Sequence, residues 1–293
     1  MNTGSRLAAF GIGVAAIFGG AMAVGAAVGP IDVGGDAHGV EVTAAEIQTD
    51  IPRGLAVSAN GFRLVVESDS VPAGSATRFA FRIVDESGSP VTEFDELHER
   101  RLHLIVVARN LVNYWHLHPT LDDTGVWTAD LPALSSGSYR LFADFQPAGA
   151  ANITLGTDIA VPGTVTPVGI PKPSPTDSVD GYTVTLSGDP QIGRAELAFS
   201  VALGGESVRT EPYLGAAGHL VAIRDGDMAF LHVHPLEDDT GDAVTFTGEF
   251  PSAGTFRLFL DFAHDDEVRT AAFTVVVADA AASMSTSSHV EGH

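Results

Sequence analysis

The feature that most constrains the fold of this chain is an internal repeat. The segment LHLIVVARNLVNYWHLHP at 102–119 returns as GHLVAIRDGDMAFLHVHP at 218–235. Two shorter pairs also match: YRLFADF (139–145) with FRLFLDF (256–262), and GFRLVV (61–66) with GYTVTL (181–186). Matching segments in the same order indicate that one structural unit occurs twice in the chain.

Each copy has the pattern of an immunoglobulin-like β-sandwich. Short runs rich in Val, Ile, Phe and Tyr are separated by Gly, Pro, Asp or Ser, and segments such as TFRLFLDF alternate with the period of a strand. No alternation of strands and amphipathic helices follows residue 30, which argues against a parallel α/β fold. We therefore predict an all-β chain of two tandem immunoglobulin-like β-sandwiches after an N-terminal hydrophobic helix.

The repeat and a proline-rich stretch set the predicted domain boundaries. The sequence VPGTVTPVGIPKPSPT at 161–176 contains five prolines, which is typical of an extended, semi-rigid linker. The predicted divisions are a transmembrane anchor or signal peptide at 1–30, a flexible spacer at 31–52, a first sandwich at 53–162, a linker at 163–177, a second sandwich at 178–278 and a disordered tail at 279–293.

Composition excludes several classes of function. The chain carries 37 acidic and 15 basic residues, and its net charge of −22 argues against binding nucleic acid, which requires a basic surface. It contains no cysteine, which excludes disulfides, thiolate metal sites, iron–sulfur clusters, a cysteine nucleophile and a blue-copper centre.

The N-terminal segment predicts contact with a membrane. Leu7 to Val28 is a run of 22 uncharged residues, close to the roughly 20 that span a bilayer. Ala21-Met22-Ala23 offers a signal-peptide cleavage site, but an uncleaved anchor accounts better for the full length of the run. Both interpretations put the chain from Gly29 onward outside the cytoplasm, because Arg6 stays inside. We expect a cell-membrane protein with its bulk extracytoplasmic, or a secreted protein if cleavage occurs.

Both long segments of the repeat carry the pattern H-x12-H-x-H-P. Its positions are His103, His116 and His118 in the first copy and His219, His232 and His234 in the second. Asp225-Gly226 is a strong signal for a two-residue hairpin turn, so His219 is predicted to oppose His232, with His234 a diagonal neighbour on the same face. The first copy has identical spacing and is predicted to bring its own three histidines together.

Three converging imidazoles predict a metal site in each repeat. Neutral imidazole is the commonest metal ligand in proteins, and ligands from two paired strands form a rigid site. Nitrogen ligation without sulfur favours Cu(II) or Zn(II), and the affinity order puts copper ahead of zinc. We predict copper, with zinc as the alternative. Two other roles for these histidines stay open, namely hydrogen bonds at strand ends and a catalytic constellation.

Further ligands are predicted from positions near these motifs. Asp144 and Asp261 occupy the same place in the two copies, where an aspartate among apolar strand residues either binds the metal, orients a histidine or faces solvent. His98 in the first copy and His264 in the second are weaker candidates. The remaining histidines lie in segments expected to be solvated: His38, His289 and His293.

The function predicted from the sequence is non-enzymatic metal binding. No G-x-S-x-G, H-E-x-x-H or Walker sequence occurs. The protein would buffer metal ions or pass them to a metal-transport partner protein. Two alternatives remain: an enzyme with a three-histidine metal centre that keeps one open position, and a tandem β-sandwich adhesion or interaction protein whose histidines are structural.

The strings LHLIVVARNL…HLHP, YRLFADFQPAG and YLGAAGHLVAIR…LHVHP resemble a family of secreted or membrane-anchored actinobacterial proteins described as heavy-metal-associated or heavy-metal-binding. The resemblance covers nearly all of residues 1–278, including the N-terminal segment that ends in Val28-Gly29-Pro30. It implies an extracytoplasmic role in handling a metal, copper above all, through the six histidines of the repeated motif. The C-x-x-C motif of the cytoplasmic domain of similar name is absent here, so the resemblance implies no such fold.

Overall fold

Strands account for all regular secondary structure in the part of the chain that the structure describes. The structure is a computed structural model. The residues that it describes are 52–231, 233–235 and 243–278. The predicted helix at 1–30, most of the spacer at 31–52 and the tail at 279–293 lie outside them. Among the described residues, no helix combines the length and the apolar character of a membrane span.

Each repeat contributes ten strands within these residues. The first contains β1 (Ser58–Ala59), β2 (Phe62–Val66), β3 (Thr77–Val84), β4 (Phe94–Asp95), β5 (Leu102–Ala108), β6 (Tyr114–Leu117), β7 (Thr120–Leu121), β8 (Trp127–Leu131), β9 (Gly137–Pro147) and β10 (Ile153–Val161). The second contains β11 (Thr176–Val179), β12 (Tyr182–Ser187), β13 (Gly193–Leu203), β14 (Glu206–Val208), β15 (His219–Arg224), β16 (Phe230–Leu231), β17 (Val233–Pro235), β18 (Ala243–Phe250), β19 (Gly254–His264) and β20 (Glu267–Val277).

The strands of each repeat form two antiparallel sheets, which confirms the prediction of tandem immunoglobulin-like β-sandwiches. In the first repeat the orders are β1-β2-β3-β8-β7 and β10-β9-β5-β6, with β4 beside β9. In the second they are β11-β12-β13-β18-β17, with β14 beside β13, and β16-β15-β19-β20. The first histidine of each motif therefore lies on an equivalent strand, β5 or β15, beside β9 or β19.

Each sandwich closes around an apolar core of its own. Phe81 and Trp127 are buried in the core of the first repeat, and Phe199 and Phe246 in that of the second. These core residues lie on strands whose side chains point alternately inward and outward. In β13, for example, every second residue from Ala195 to Val201 is buried. Burial of apolar surface is the main stabilising contribution to such sandwiches.

A third apolar cluster lies between the two repeats. On β5, Leu104 faces the core of its own sandwich, whereas Ile105 and Val107 point to the other face of the sheet and pack with Val221 and Ile223 of β15. We call this cluster the junction core. Its buried members are Ile105, Val107, Leu111, Phe142, Val221, Ile223, Met228, Phe230 and Phe259. The need to cover both faces explains why β5 and β15 are apolar without alternation.

Aromatic pairs make the junction core approximately two-fold symmetric. The rings of Tyr114 and Phe259 stack with centroids 4.1 Å apart and planes 5° apart, and the rings of Phe142 and Phe230 lie 5.3 Å apart. Tyr114 and Phe230 hold the same place in the repeat, as do Phe142 and Phe259. The β5–β6 hairpin of the first repeat and the β15–β16 hairpin of the second, which we call the histidine hairpins, consequently approach each other at the junction.

The predicted register of the second hairpin is wrong by two residues. Ile223 pairs with Phe230 rather than with Met228. The turn contains four residues, 225–228, instead of two, because Met228 adopts a left-handed conformation (φ 65°) and closes a wider loop. A shift of two residues leaves every side chain on its original face of the sheet. The error therefore changes which residues are opposed but not which face they share.

Candidate metal centre

Three histidines of the first repeat converge at the end of the β5–β6 hairpin. His116 lies opposite Ile105 instead of opposite His103 as predicted, again a displacement of two residues. The ring centroids are 5.1 Å apart for His103 and His116, 5.2 Å for His103 and His118, and 4.8 Å for His116 and His118. One nitrogen from each ring lies within 4.8 Å of the others. We call these three residues the histidine trio.

Hydrogen bonds fix the tautomers of two rings in the trio. His103 Nε2 lies 2.9 Å from the carbonyl oxygen of Leu97, which only accepts, so Nε2 carries the proton. His116 Nδ1 lies 2.8 Å from a carboxylate oxygen of Asp261, so Nδ1 carries the proton. The two remaining nitrogens, His103 Nδ1 and His116 Nε2, face each other 2.9 Å apart. In neutral rings both are lone pairs.

His118 brings a third nitrogen to the same place. Its Nε2 is buried and has no hydrogen-bond partner among the described residues. Burial and the neighbouring His116 and His103 lower the pKa of His118 to about 3. The ring is therefore neutral at physiological pH, the form that binds a metal ion.

The carboxylate of Asp261 reaches the trio from the second repeat. Asp261 is only 2% exposed and lies on β19. Besides the bond from His116, it accepts hydrogen bonds from Tyr114 Oη at 3.2 Å and from Thr270 Oγ1 at 2.6 Å. Three donors hold the carboxylate in one position, so it can orient the His116 ring through Nδ1, the nitrogen that does not face His103. The structure thus gives Asp261 an orienting contact with a histidine of the other repeat.

Asp144, the equivalent residue of the first repeat, lies next to His103. The two residues are paired across β5 and β9. One carboxylate oxygen of Asp144 accepts hydrogen bonds from Thr154 Oγ1 at 2.7 Å and Asn152 Nδ2 at 3.1 Å. The negative charge of Asp144 acts to raise the pKa of His103, but burial and then His116 outweigh it and lower that pKa to about 4.

His219 of the second repeat joins the same group of rings. Its centroid is 6.0 Å from that of His103 and 6.1 Å from that of His116. Its Nε2 lies 3.3 Å from the carbonyl oxygen of Leu214. Burial, followed by His116 and His98, lowers the pKa of His219 to about 3. The first histidines of both motifs are therefore neutral and lie in one centre at the junction.

His98 also belongs to this centre. Its ring is 4.9 Å from that of His219 and 6.1 Å from that of His103. It lies in a tight turn closed by reciprocal backbone bonds between Leu97 and Arg100, in which His98 and its successor both have positive φ. The second repeat has an equivalent turn, closed by bonds between residues 213 and 216. Each turn supplies a carbonyl oxygen that accepts a hydrogen bond from a ring, Leu97 from His103 in the first repeat and Leu214 from His219 in the second.

The other predicted ligands lie elsewhere or outside the described residues. His264 contacts Tyr182, whose hydroxyl is 2.9 Å from His264 Nδ1, and has no ring contact with a histidine among the described residues. His234 pairs through its backbone with Thr247, and its side chain is outside what the structure describes. His232 is also outside it. Convergence of His219 with these two residues stays a prediction.

Sequence reasoning missed two tyrosines and one carbonyl group in this centre. Tyr114 donates a hydrogen bond to Asp261, and Tyr213 lies with its ring 5.7 Å from that of His219. Burial raises the pKa of both tyrosine hydroxyls, and the negative charge of Asp261 raises it further. The pKa of Tyr213 reaches about 12. Tyr114 could have been found, since it precedes His116 by two residues and so shares its face of the strand. No sequence signal marks the carbonyl of Leu97.

Comparison with known proteins assigns a family but no activity. The profile of a family described as "Domain of unknown function (DUF8832)" matches two stretches of the chain, 57–161 and 177–279. These stretches correspond to the two sandwiches. No curated protein matches the chain.

Solved structures show weak overall similarity. A DUF4426 family protein from Pseudomonas aeruginosa PAO1 is 10% identical with a TM-score of 0.27, over 35% of this chain and 94% of that chain. The Escherichia coli adhesin FdeC is 17% identical with a TM-score of 0.25, over 76% and 66%. The N-terminal Ig1-2 module of the Drosophila receptor protein tyrosine phosphatase DLAR is 8% identical with a TM-score of 0.21, over 75% and 100%. Similarity at this level carries no argument about function.

Proposed function

We propose that this chain, which belongs to the DUF8832 family, is a metal-binding protein whose histidine trio holds copper, with zinc as the alternative ion. The site lies in the first repeat and is completed by Asp261 of the second. We further propose that the protein works outside the cytoplasm, anchored by its N-terminal segment, and buffers metal ions or hands them to a metal-transport partner.

The observation that carries the proposal is the close approach of two ring nitrogens, both of which carry a lone pair when the two rings are neutral. His103 Nδ1 and His116 Nε2 lie 2.9 Å apart, while His103 Nε2 donates a hydrogen bond to the carbonyl oxygen of Leu97 and His116 Nδ1 donates one to the carboxylate of Asp261. Two buried lone pairs at this distance repel each other unless a cation or a proton lies between the rings. One nitrogen of His118 lies within 4.8 Å of a nitrogen of each of these two rings, and His118 Nε2 is buried without a hydrogen-bond partner among the described residues.

The dimensions of the trio fit a first-row metal ion. Two nitrogens that bind one ion at about 2.0 Å with a tetrahedral angle are about 3.3 Å apart. The closest pair here is at 2.9 Å and all three nitrogens lie within 4.8 Å, so small side-chain rotations suffice. The side chain of His116 is 6% exposed, whereas His118 is partly exposed and offers a path for the ion.

The electrostatics and the sequence resemblance support the same proposal. Ligand histidines must be neutral, and the low pKa values of His103 and His118 keep them so at physiological pH. The net charge of −22 attracts cations to the protein. The resemblance to heavy-metal-associated proteins points to copper. A fourth position beside three histidine ligands would also suit a catalytic metal ion, which is the enzymatic alternative to this proposal.

A second candidate is a tandem β-sandwich interaction protein with structural histidines. One observation favours it: a proton on His116 Nε2 would donate to His103 Nδ1 while Nδ1 stays bonded to the Asp261 carboxylate. That arrangement gives both facing nitrogens a hydrogen-bond partner without a metal ion. It leaves His118 Nε2 without a partner, which is why we prefer the metal-binding function.

Copper uptake by matched variants distinguishes these candidates. The full chain, purified without a histidine tag, is titrated with Cu(II) and with Zn(II) against a competing chelator. We expect tight uptake by the wild type, loss of the site in His116→Ala, and unchanged uptake in His264→Ala, whose ring lies beside Tyr182. Equal uptake by the wild type and His116→Ala would rule out the proposed site and favour the structural role.

A further inference from the structure

We propose that a second cation binds beside the trio, in a cavity between the two repeats, with His98 and His219 as its ligands and Asp144 as the nearby counter-charge. This inference rests on the proposed function and extends it, because the centre would then hold two ions that interact. It also joins ligands from different repeats, where the sequence predicted one separate site in each.

The cavity lies where the two histidine hairpins approach each other. It has a volume of about 40 Å³, enough for an ion with bound water, since a water molecule needs roughly 10–15 Å³ of such space. Four imidazoles and one carboxylate line it, and the rest of its wall is apolar. These polar residues are His98, His103, His116, His219 and Asp144.

His219 lines this cavity, and a hydrogen bond from one of its ring nitrogens leaves the other nitrogen unprotonated. The residue is 9% exposed, and its Nε2 is directed at the carbonyl oxygen of Leu214 at 3.3 Å. A carbonyl only accepts, so Nε2 carries the proton and Nδ1 keeps a lone pair. This is the same device that fixes the tautomer of His103 through Leu97.

His98 reaches the cavity because its turn has an unusual backbone. His98 and Glu99 have φ values of 49° and 60°, the left-handed pair of a tight turn usually filled by Asn and Gly. The turn brings the His98 ring to 4.9 Å from that of His219. In the second repeat the corresponding position is occupied by Leu214 (φ 53°), so no equivalent histidine exists there. The second ion is therefore predicted once per chain.

Asp144 supplies the negative charge that a second cation needs. It lines the cavity, is 7% exposed, and is held in place by Thr154 and Asn152. Only the trio, among the described residues, brings three candidate ligand atoms within 4.8 Å. His98, His219 and Asp144 surround a wider space, so an ion there would keep bound water, as Cu(II) with tetragonal geometry does.

The test counts copper ions and measures their magnetic interaction. The full chain with His38, His289 and His293 replaced by alanine, to remove histidines outside the described residues, is loaded with Cu(II) in a chelator-buffered solution. We expect two ions per chain, and an electron paramagnetic resonance spectrum altered by coupling between neighbouring ions. The variant His98→Asn keeps the turn, because asparagine tolerates a left-handed conformation, and should bind one ion with an uncoupled spectrum.

Controls separate this inference from the proposed function. Glu99→Asn changes the neighbouring position of the same turn and should keep both ions. Binding of a single ion by the wild type, lost in His116→Ala, would overturn the second site while the proposed function stands. Binding of no ion would overturn both. Two ions in His98→Asn, or two uncoupled ions in the wild type, would show that the second ion lies elsewhere and would overturn the inference.

Discussion

At the scale of single residues, the site depends on which nitrogen of His116 carries a proton. A neutral imidazole has one N–H, and the carboxylate of Asp261 holds it on Nδ1. The lone pair is then directed at His103. Tyr114 and Thr270 hold the carboxylate in turn. The carboxylate of Asp261, which would not touch the proposed ion, thus decides which nitrogen of His116 could bind it.

Asp261→Asn is expected to weaken copper binding by about 10- to 100-fold, the usual effect of removing a carboxylate behind a ligating histidine. An asparagine amide can donate to His116 Nδ1, which moves the proton to Nε2 and turns the lone pair away from the trio. Chelator competition measures the affinity. Asp177→Asn is the control, because this carboxylate of the same repeat bonds to the backbone of Ala272. Equal losses in both variants would contradict the orienting role.

The position of Asp144 and Asp261 in the sequence identified two important carboxylates but not their partners. Their burial among apolar residues indicates a paired or ligating role. Which histidine Asp261 contacts depends on how the two sandwiches pack, and no spacing within one repeat carries that information. The contact of Asp261 with His116, which lies 145 positions earlier in the chain, is therefore visible only in the structure.

At the scale of strands and hairpins, periodicity predicted the shared face but not the register. The alternation rule puts His103, His116 and His118 on one side of the sheet, and the structure has them there. The opposed pairs differ by two residues because the turn adopts a four-residue form, closed in the second copy by Met228 with a positive φ. A dipeptide such as Asp225-Gly226 favours a turn without fixing its length.

The continuous apolar runs of β5 and β15 are a sequence signal for strands that are covered on both faces. Alternation is typical of a strand with one solvated face, as in β13. In β5 all seven residues are buried, which indicates a strand covered on both faces. That feature alone predicts a second packing surface on the sheet, here the junction core.

At the scale of the whole molecule, the centre exists because two sandwiches pack through an apolar layer. The aromatic pairs Tyr114–Phe259 and Phe142–Phe230 repeat across the junction. Asp261 follows Phe259 by two residues and lies on the same face of β19. The packing of Phe259 in the junction core therefore determines whether the Asp261 carboxylate is close enough to contact His116. The sequence predicted two domains with separate sites, whereas the rings of His98, His103, His116, His118 and His219 gather at the junction of the two sandwiches.

Phe259→Ala is expected to lower the free energy of unfolding by about 3–5 kcal/mol, as usual for a buried phenylalanine. It should also weaken copper binding, because the strand that carries Asp261 is then packed less firmly against the first repeat. Phe273→Ala is the matched control: this residue is equally buried but packs in the core of the second sandwich. It should lose similar stability without loss of affinity. Denaturant unfolding and chelator competition give the two quantities. Similar affinity losses in both variants would show that junction packing has no specific role.

Whether the histidine trio binds copper is tested by locating the metal in a crystal of the copper-loaded protein, through anomalous scattering at the copper absorption edge. If the trio binds copper, the peak lies about 2.0 Å from His103 Nδ1, His116 Nε2 and one nitrogen of His118. Copper found only at other residues, or a trio that stays closed with His116 Nε2 bonded to His103 Nδ1 after loading, would contradict copper binding by the trio.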